Sequence, residues 1–273
     1  MPYHFNLHDL SAAELLMAAR DNQVEHFAWL ARQTDGMIVN EASGLVIVDC
    51  GLPCDTFNTV TRAWLSSGTA RQRIQETIDY FGGAGRPFSW WLMPGDKPDS
   101  LAEELAACGL APAESEVAMA ADLAKLQKTD LAPLGLHIER VRTLASLRDF
   151  AQVVAVNWSP PDKWIVRFYE LTADVLLRED TPLWLYVGYL DGAAVATSEL
   201  TVGGGVGGLY NICTLVEYRR RGLGSAMTLK PLLDAREAGC RYAILQASAY
   251  GAGIYKRTGF EVIGEITEYK PQQ

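Results

Sequence analysis

Several things are scarce in this sequence, and each absence removes a class of function. No stretch of about 18 apolar residues exists to span a bilayer, so no membrane partner is expected. The N-terminus, Met1-Pro2-Tyr3-His4, lacks the basic segment and apolar run of a signal peptide, and the expected location is cytoplasmic. Positive charge is short: 24 Lys and Arg face 33 Asp and Glu, a formal net charge of −9. A nucleic-acid binder shows a basic patch to meet phosphates, so nucleic acid is not expected as a partner. The five cysteines (Cys50, Cys54, Cys108, Cys213 and Cys240) contain no C-x-x-C pair, and Cys50 and Cys54 have no nearby histidine. Neither a metal site nor a disulfide framework is expected, and reduced thiols fit best.

What is present is ordinary for a globular chain: 273 residues, 49% of them hydrophobic. That length suits two domains, each large enough to bury a core without a metal or disulfide. Ser11 followed by Glu14 resembles a capping box and starts a helical pattern, read as two pieces around Asp21-Asn22. Strands are expected at 36–41, 45–50 and 57–65, a helix at 71–81 closed by Gly82-Gly83, a strand at 88–93, a helix at 100–108 and a strand at 116–121. The polar stretch 122–135, with Pro133 and Gly135 near its end, is the natural linker. Beyond it come a strand at 137–142, helices at 144–156 and 165–177, and two strands at 183–190 and 193–202 around Asp191-Gly192, a strong hairpin signal. The glycine-rich run 203–208 is read as a flexible turn into a strand at 209–215. A helix at 225–238, a strand at 241–247, a short helix at 251–258 and a last strand at 260–269 follow. Both halves share this order of elements, which suggests duplication of one fold.

The sharpest local signal is Arg219-Arg220-Arg221-Gly222-Leu223-Gly224-Ser225, between an expected strand and an expected helix. Its glycines allow a tight turn and close approach of a ligand to the backbone. The following helix offers unpaired N–H groups and the positive end of its dipole, and the arginines add charge suited to phosphate. It is not a Walker loop, because no Gly-Lys-Ser/Thr follows, and it lacks the dinucleotide-binding fingerprint. A structural turn with a solvated arginine run would explain the loop taken alone.

Its surroundings favour more. Arg219-x-x-Gly222-x-Gly224 resembles the Q/R-x-x-G-x-G/A loop of the GNAT acyltransferase superfamily, and it follows a strand, Leu209-Tyr210-Asn211-Ile212-Cys213-Thr214-Leu215. Downstream, Tyr255 precedes Gly259-Phe260, which resembles the superfamily's second hallmark. The resemblance covers the chain from about His137 to Tyr269 and implies an α+β (α/β three-layer) fold: two GNAT-like domains, each a mixed, mostly antiparallel twisted sheet flanked by helices. The domains would be 1–124, a linker at 125–135, and 136–273.

The resemblance also implies a site. Backbone groups of Ile212, Cys213 and Thr214 would bond the pantetheine arm of acetyl-CoA, the cosubstrate. The loop from Arg219 through Arg220, Arg221, Gly222, Leu223 and Gly224 to Ser225 would hold the pyrophosphate. A backbone N–H near Thr214 would polarise the acyl carbonyl. Tyr255 would protonate the leaving thiolate. Glu199 is the candidate general base, with a solvated strand glutamate or a water relay as the competing readings. Many members carry an asparagine seven residues before the tyrosine. Ser248 stands there in this chain, which leaves that contact to the cofactor arm in doubt. Trp158 and Trp164, in a loop with Pro160-Pro161, would wall the acceptor pocket or pack between domains. His137 is read as structural.

The first half lacks the glycine loop and the tyrosine, and resembles a degenerate copy that braces the catalytic half and walls part of its acceptor site. Trp90-Trp91 is read as core and interface. The expected activity is N-acetylation of a small-molecule amine or peptide, without a metal; a homodimer is an option. Two other readings stay open: a non-catalytic acyl-CoA-binding regulatory module, and an aminoacyl transferase acting on a peptide or tRNA. The acidic balance counts against free tRNA.

Overall fold

The structure, a computed structural model, describes residues 9–126, 133–248 and 251–272. Met1–His4, the middle of the expected linker (127–132), and Ala249-Tyr250, just before the last expected short helix, lie outside the described residues. In chain order, helix α1 (Ala12–Gln33) is followed by strands β1 (Ile38–Asn40), β2 (Val46–Asp49) and β3 (Thr59–Thr61). Next come α2 (Ala70–Gly83), β4 (Ser89–Leu92), α3 (Leu101–Ala107) and β5 (Leu110–Asp122). The second half contains β6 (Leu136–Arg140), α4 (Leu144–Ala155), α5 (Lys163–Leu171), α6 (Ala173–Leu176), β7 (Leu183–Leu190) and β8 (Ala193–Gly203). It ends with β9 (Val206–Thr214), α7 (Leu223–Glu237), β10 (Tyr242–Ala247), α8 (Ala252–Arg257) and β11 (Glu261–Pro271).

The chain divides into two compact units that are not its two halves. One comprises the chain up to His26 and Ala118–Ile263; the other comprises Phe27–Val117 and Gly264–Gln273. A single cut between 124 and 136 is therefore corrected, and the reason is strand exchange. β5 follows α3 in sequence yet is hydrogen-bonded to β10, while β11 follows α8 yet pairs with β4 through Tyr269 and Trp90. Pairing between such distant segments leaves no mark on local pattern.

The larger unit carries the strand order β5, β10, β9, β8, β7, β6. β6 through β9 form an antiparallel meander, and α7 crosses over to make β10 parallel to β9. Alternation along β9 sets the faces. A Cβ on Gly207 would meet Ala235 of α7, whereas one on Gly208 would meet Asn22 of α1. α7 and α1 thus cover opposite faces. α4 starts with a capping box between Thr143 and Ser146 and buries Leu147, Phe150, Val153 and Val154. Asp162 caps α5 by accepting from the Trp164 N–H.

The smaller unit repeats the pattern in reduced form. β1, β2 and β3 are antiparallel, α2 crosses over, β4 runs parallel to β3, and β11 closes antiparallel to β4. Its core gathers Val60, Ile74, Phe81, Phe88, Trp90 and Leu105. Trp90 is fully buried there, so it packs rather than presenting a stacking platform.

Several local expectations differ from what forms; the strand expected over 57–65 is only Thr59–Thr61, and the one expected over 116–121 begins at Leu110. α1 is continuous through Asp21-Asn22, because Asn22 is buried and fully used by tertiary hydrogen bonds rather than breaking the helix. The helix expected over 165–177 divides at Thr172, whose hydroxyl donates to the Phe168 carbonyl. The turn expected over 203–208 is only Gly204-Gly205; Gly207 and Gly208 lie inside β9.

Candidate functional site

β9 and β10 form the frame of the site. Their register pairs are Gly207 with Ala243, Gly208 with Ile244 and Leu209 with Leu245. β9 runs five residues past the last pair and β10 two, so beyond Leu209 the strands part. Across the other edge, β8 stays paired with β9 out to Ala196 and Thr214. A bulge interrupts that ladder: Thr197 faces Cys213 and Glu199 faces Tyr210, which leaves an extra residue on β9. Asn211 takes up the bulge at φ +49°, a conformation asparagine tolerates better than most residues. The open β9 edge therefore carries Ile212, Cys213 and Thr214, all half-buried, leading away from a narrow apex at Leu209.

The strand ends at the glycine loop. Val216–Tyr218 makes one 3-10 turn, Arg220 sits at φ +60° and Gly222 at φ +81°, and α7 begins at Leu223. The first bond of the helix is from the Ala226 N–H to the Gly222 carbonyl. The N–H groups of Leu223, Gly224 and Ser225 precede it, as the leading donors of a helix do. Gly222 is needed for its left-handed backbone. Gly224 is different: its φ is ordinary and a Cβ there would meet nothing within 4 Å. Nothing in the described chain requires glycine at 224, which fits a ligand phosphate pressed against this backbone.

The three arginines do not act alike. Arg219 Nε donates to the Thr214 carbonyl at 3.0 Å, and Arg221 Nη2 donates to the Glu217 carbonyl with its guanidinium 5.3 Å over the Tyr218 ring. Both brace the turn, while the exposed Arg220 belongs to the residue in the left-handed conformation.

Tyr255 lies on α8, partly exposed, its ring edge-on to Phe260 at 6.1 Å and close to the Gly251 backbone. Ser248 Oγ accepts from the Gly251 N–H, which ties it to the start of α8. In the 157–164 loop, Asn157 Nδ2 donates to the Cys213 thiol at 2.9 Å, so the loop reaches β9. Burial raises the Cys213 thiol's pKa and keeps it protonated. Trp158 is 40% exposed. Trp164, beneath the Lys163 ammonium, faces an open groove of about 450 Å³ shared with Val166, Arg167 and Glu170. His137 lies on β6 near Glu139, at 3.7 Å.

Glu199 is not a solvated strand residue. It is buried at 1% exposure on β8. Its Oε1 binds His26 Nδ1 at 2.8 Å and the Thr201 hydroxyl at 2.8 Å, and its Oε2 accepts from Asn211 Nδ2 at 2.9 Å. Burial works to raise the carboxyl's pKa. The electrostatic pull of the neighbouring His26 imidazole and the hydrogen bonds from His26, Thr201 and Asn211 outweigh it, so the pKa lies below the usual carboxylate range. His26 stacks on Tyr210 with ring centroids 3.7 Å apart and planes 1° from parallel. The Tyr210 hydroxyl donates to Asn22, and Asn211 also approaches the Tyr169 hydroxyl of α5 at 3.4 Å. His26, Asn22, Tyr210 and Asn211 escaped the sequence reading. His26 lies 173 residues from Glu199, a separation at which no motif spacing operates.

Among the described residues, no group of three or more His, Cys, Asp or Glu side chains is placed to hold a metal. No described helix is long and apolar enough to cross a membrane.

Comparison with known proteins agrees with this geometry. The family model of the acetyltransferase (GNAT) domain matches residues 165–263. No curated protein matches the chain significantly. Among solved structures, the chain is similar to a GCN5-related N-acetyltransferase from Kribbella flavida: TM-score 0.70, 17% identity, 93% of this chain and 96% of that one covered. It is also similar to a GCN5-related N-acetyltransferase from Sphaerobacter thermophilus, with TM-score 0.59, 16% identity and coverage of 95% and 91%. A tandem GNAT protein from the clavulanic acid biosynthesis pathway gives TM-score 0.59, 12% identity and 96% coverage of both chains. At these identities the likeness to the solved structures is one of fold. Residues 165–263 thus match the acetyltransferase (GNAT) domain family, and the chain as a whole shares the fold of these solved structures.

Proposed function

We propose that this protein is a cytoplasmic N-acetyltransferase that moves the acetyl group of acetyl-CoA to a primary amine on a small molecule or peptide. The observation that carries this reading is the open edge of β9 leading from a glycine-loop helix start to a bulged apex. A long thioester cosubstrate suits that shape. Its pyrophosphate would lie on the amides from Arg220 to Ser225, its arm along Ile212, Cys213 and Thr214, and its acyl group at the narrow end. Ser248, turned toward α8, is a weaker candidate for the cofactor arm. Trp158 and Trp164 would bound the acceptor.

In this reading the amine attacks the thioester carbonyl and the C–S bond breaks with its electron pair on sulfur. A backbone N–H on the open β9 edge stabilises the developing oxyanion. Tyr255 donates its phenolic proton to the thiolate. The catalytic portion would be the larger unit, Ala118–Ile263 together with the chain up to His26.

The test is release of CoA from acetyl-CoA, read with a thiol reagent across a panel of amines and peptides. Wild type is expected to release CoA only with a suitable acceptor, and Tyr255→Phe to lose at least about tenfold in kcat. Tight acetyl-CoA binding with no turnover on any acceptor would instead favour the binding-module reading.

A further inference from the structure

Proposed N-acetylation leaves one step without a residue: removing the proton from the acceptor. An alkylamine titrates near ~10.4, so on the order of 0.1% is neutral at pH 7. Glu199 cannot reach the amine directly, since it is 1% exposed and both its oxygens are engaged. We propose that His26 is the proton acceptor of the reaction, oriented by Glu199 through the Nδ1 hydrogen bond, so that a residue of the first helix completes the site of the acetyltransferase domain. This rests on the acetyltransferase reading above.

Four observations support it. The ring is fixed on two sides, by Glu199 at Nδ1 and by face-to-face stacking on Tyr210. A histidine whose Nδ1 donates to a buried carboxylate has its tautomer and ring orientation set, with Nε2 left as the acceptor. Its position is right: Tyr210 is the first residue past the last β9–β10 pair, and Asn211, bonded to the same carboxylate, forms the bulge. An acyl group at the apex would lie beside them. Finally, the His26 side chain keeps 17% exposure while Glu199 keeps 2%, so in this pair the imidazole is the member open to the outside. The titratable groups facing His26 include Glu199 from β8 and Tyr210 from β9, with Tyr169 of α5 reached through Asn211.

The step balances as follows. His26 takes one proton from the acceptor ammonium and frees the lone pair. The N–C bond forms, the C–S bond breaks, and the thiolate takes the Tyr255 proton. The proton shed by the new amide nitrogen restores the tyrosine through solvent, and the proton on His26 leaves to water.

Asparagine at 26 can keep a donor near the Nδ1 position and removes the base. His26→Asn is expected to lower kcat/KM for an alkylamine at pH 7 by about 100-fold. It should lose the acidic limb of the pH profile and bind acetyl-CoA, by calorimetry, as wild type does. Hydroxylamine, already neutral at pH 7, should lose far less. Glu199→Gln, a second variant, should lower kcat about tenfold with little change in KM. An equal loss for both acceptors, or weakened acetyl-CoA binding, would mean that His26 only supports the fold, and the proposal is overturned. Wild-type turnover that His26→Asn leaves unmoved overturns the relay alone. Failure of wild type on every amine overturns the acetyltransferase reading, and the relay with it.

Discussion

The two glycines of the loop do different jobs, and substitution separates them. At Gly222 an alanine must adopt φ +81°, at a cost of about 1 kcal/mol whether or not a ligand is bound. At Gly224 the backbone is ordinary and the space above it is open. Gly224→Ala is therefore expected to leave Tm unchanged and to weaken acetyl-CoA binding at least about tenfold, by calorimetry, because the methyl would take the position proposed for the phosphate. Equal binding by both proteins would show that no ligand approaches there. The glycine loop at the start of α7 and the helix that carries Tyr255 were legible because backbone conformation and helix-start chemistry are local. The burial and pairing of Glu199 were not, because the partners that surround it come from α1 and β9.

Among the elements, β9 departs most from its sequence pattern. Its glycines look like a flexible turn, yet Gly208 is a packing residue. A Cβ there would stand 1.9 Å from Asn22 Oδ1. That close approach lets Asn22 donate to the carbonyls of Thr201, Gly203 and Val206 and accept from Tyr210, which anchors α1 against the sheet. Gly208→Ala is expected to lower stability by about 1–3 kcal/mol, measured by denaturant unfolding. If the His26 relay operates, it should also reduce turnover, since His26 lies one helical turn beyond Asn22 on the same face. The Ser11–Glu14 capping box of α1 and the Asp191-Gly192 hairpin were readable in advance, since each depends on neighbours within a few residues.

At the scale of the whole molecule, both units are completed by segments from the other half of the chain. In the smaller unit this brings Glu268 of β11 near Glu116 of β5, with Glu114 close by. Burial first, then the charges of Glu114 and Glu268, raise the Glu116 pKa from the ordinary 4.5 to about 7. Between those two values the folded chain holds a proton that the unfolded chain has released, so stability falls as pH rises through that window. Glu116→Gln should flatten the fall and leave the protein about 1–3 kcal/mol more stable above pH 7, by thermal or denaturant unfolding at several pH values. A variant whose stability tracked wild type from pH 5 to 8 would mean the carboxyl is charged and solvated throughout.

The sequence by itself determined the family of the domain at 165–263. Its glycine loop, its strand before the loop and its tyrosine are contiguous or nearly so, and the order of elements set the sheet and helices around them. Hydrophobic period, caps and turn residues act over a few positions, and one chain displays them in full. Only the tertiary structure decided which strand completes which unit, that a glycine run is a docking surface for Asn22, and that Glu199 is paired with His26. Those outcomes depend on segments far apart in the chain meeting on one face of a sheet, where burial and hydrogen-bond satisfaction, not local preference, select the partner.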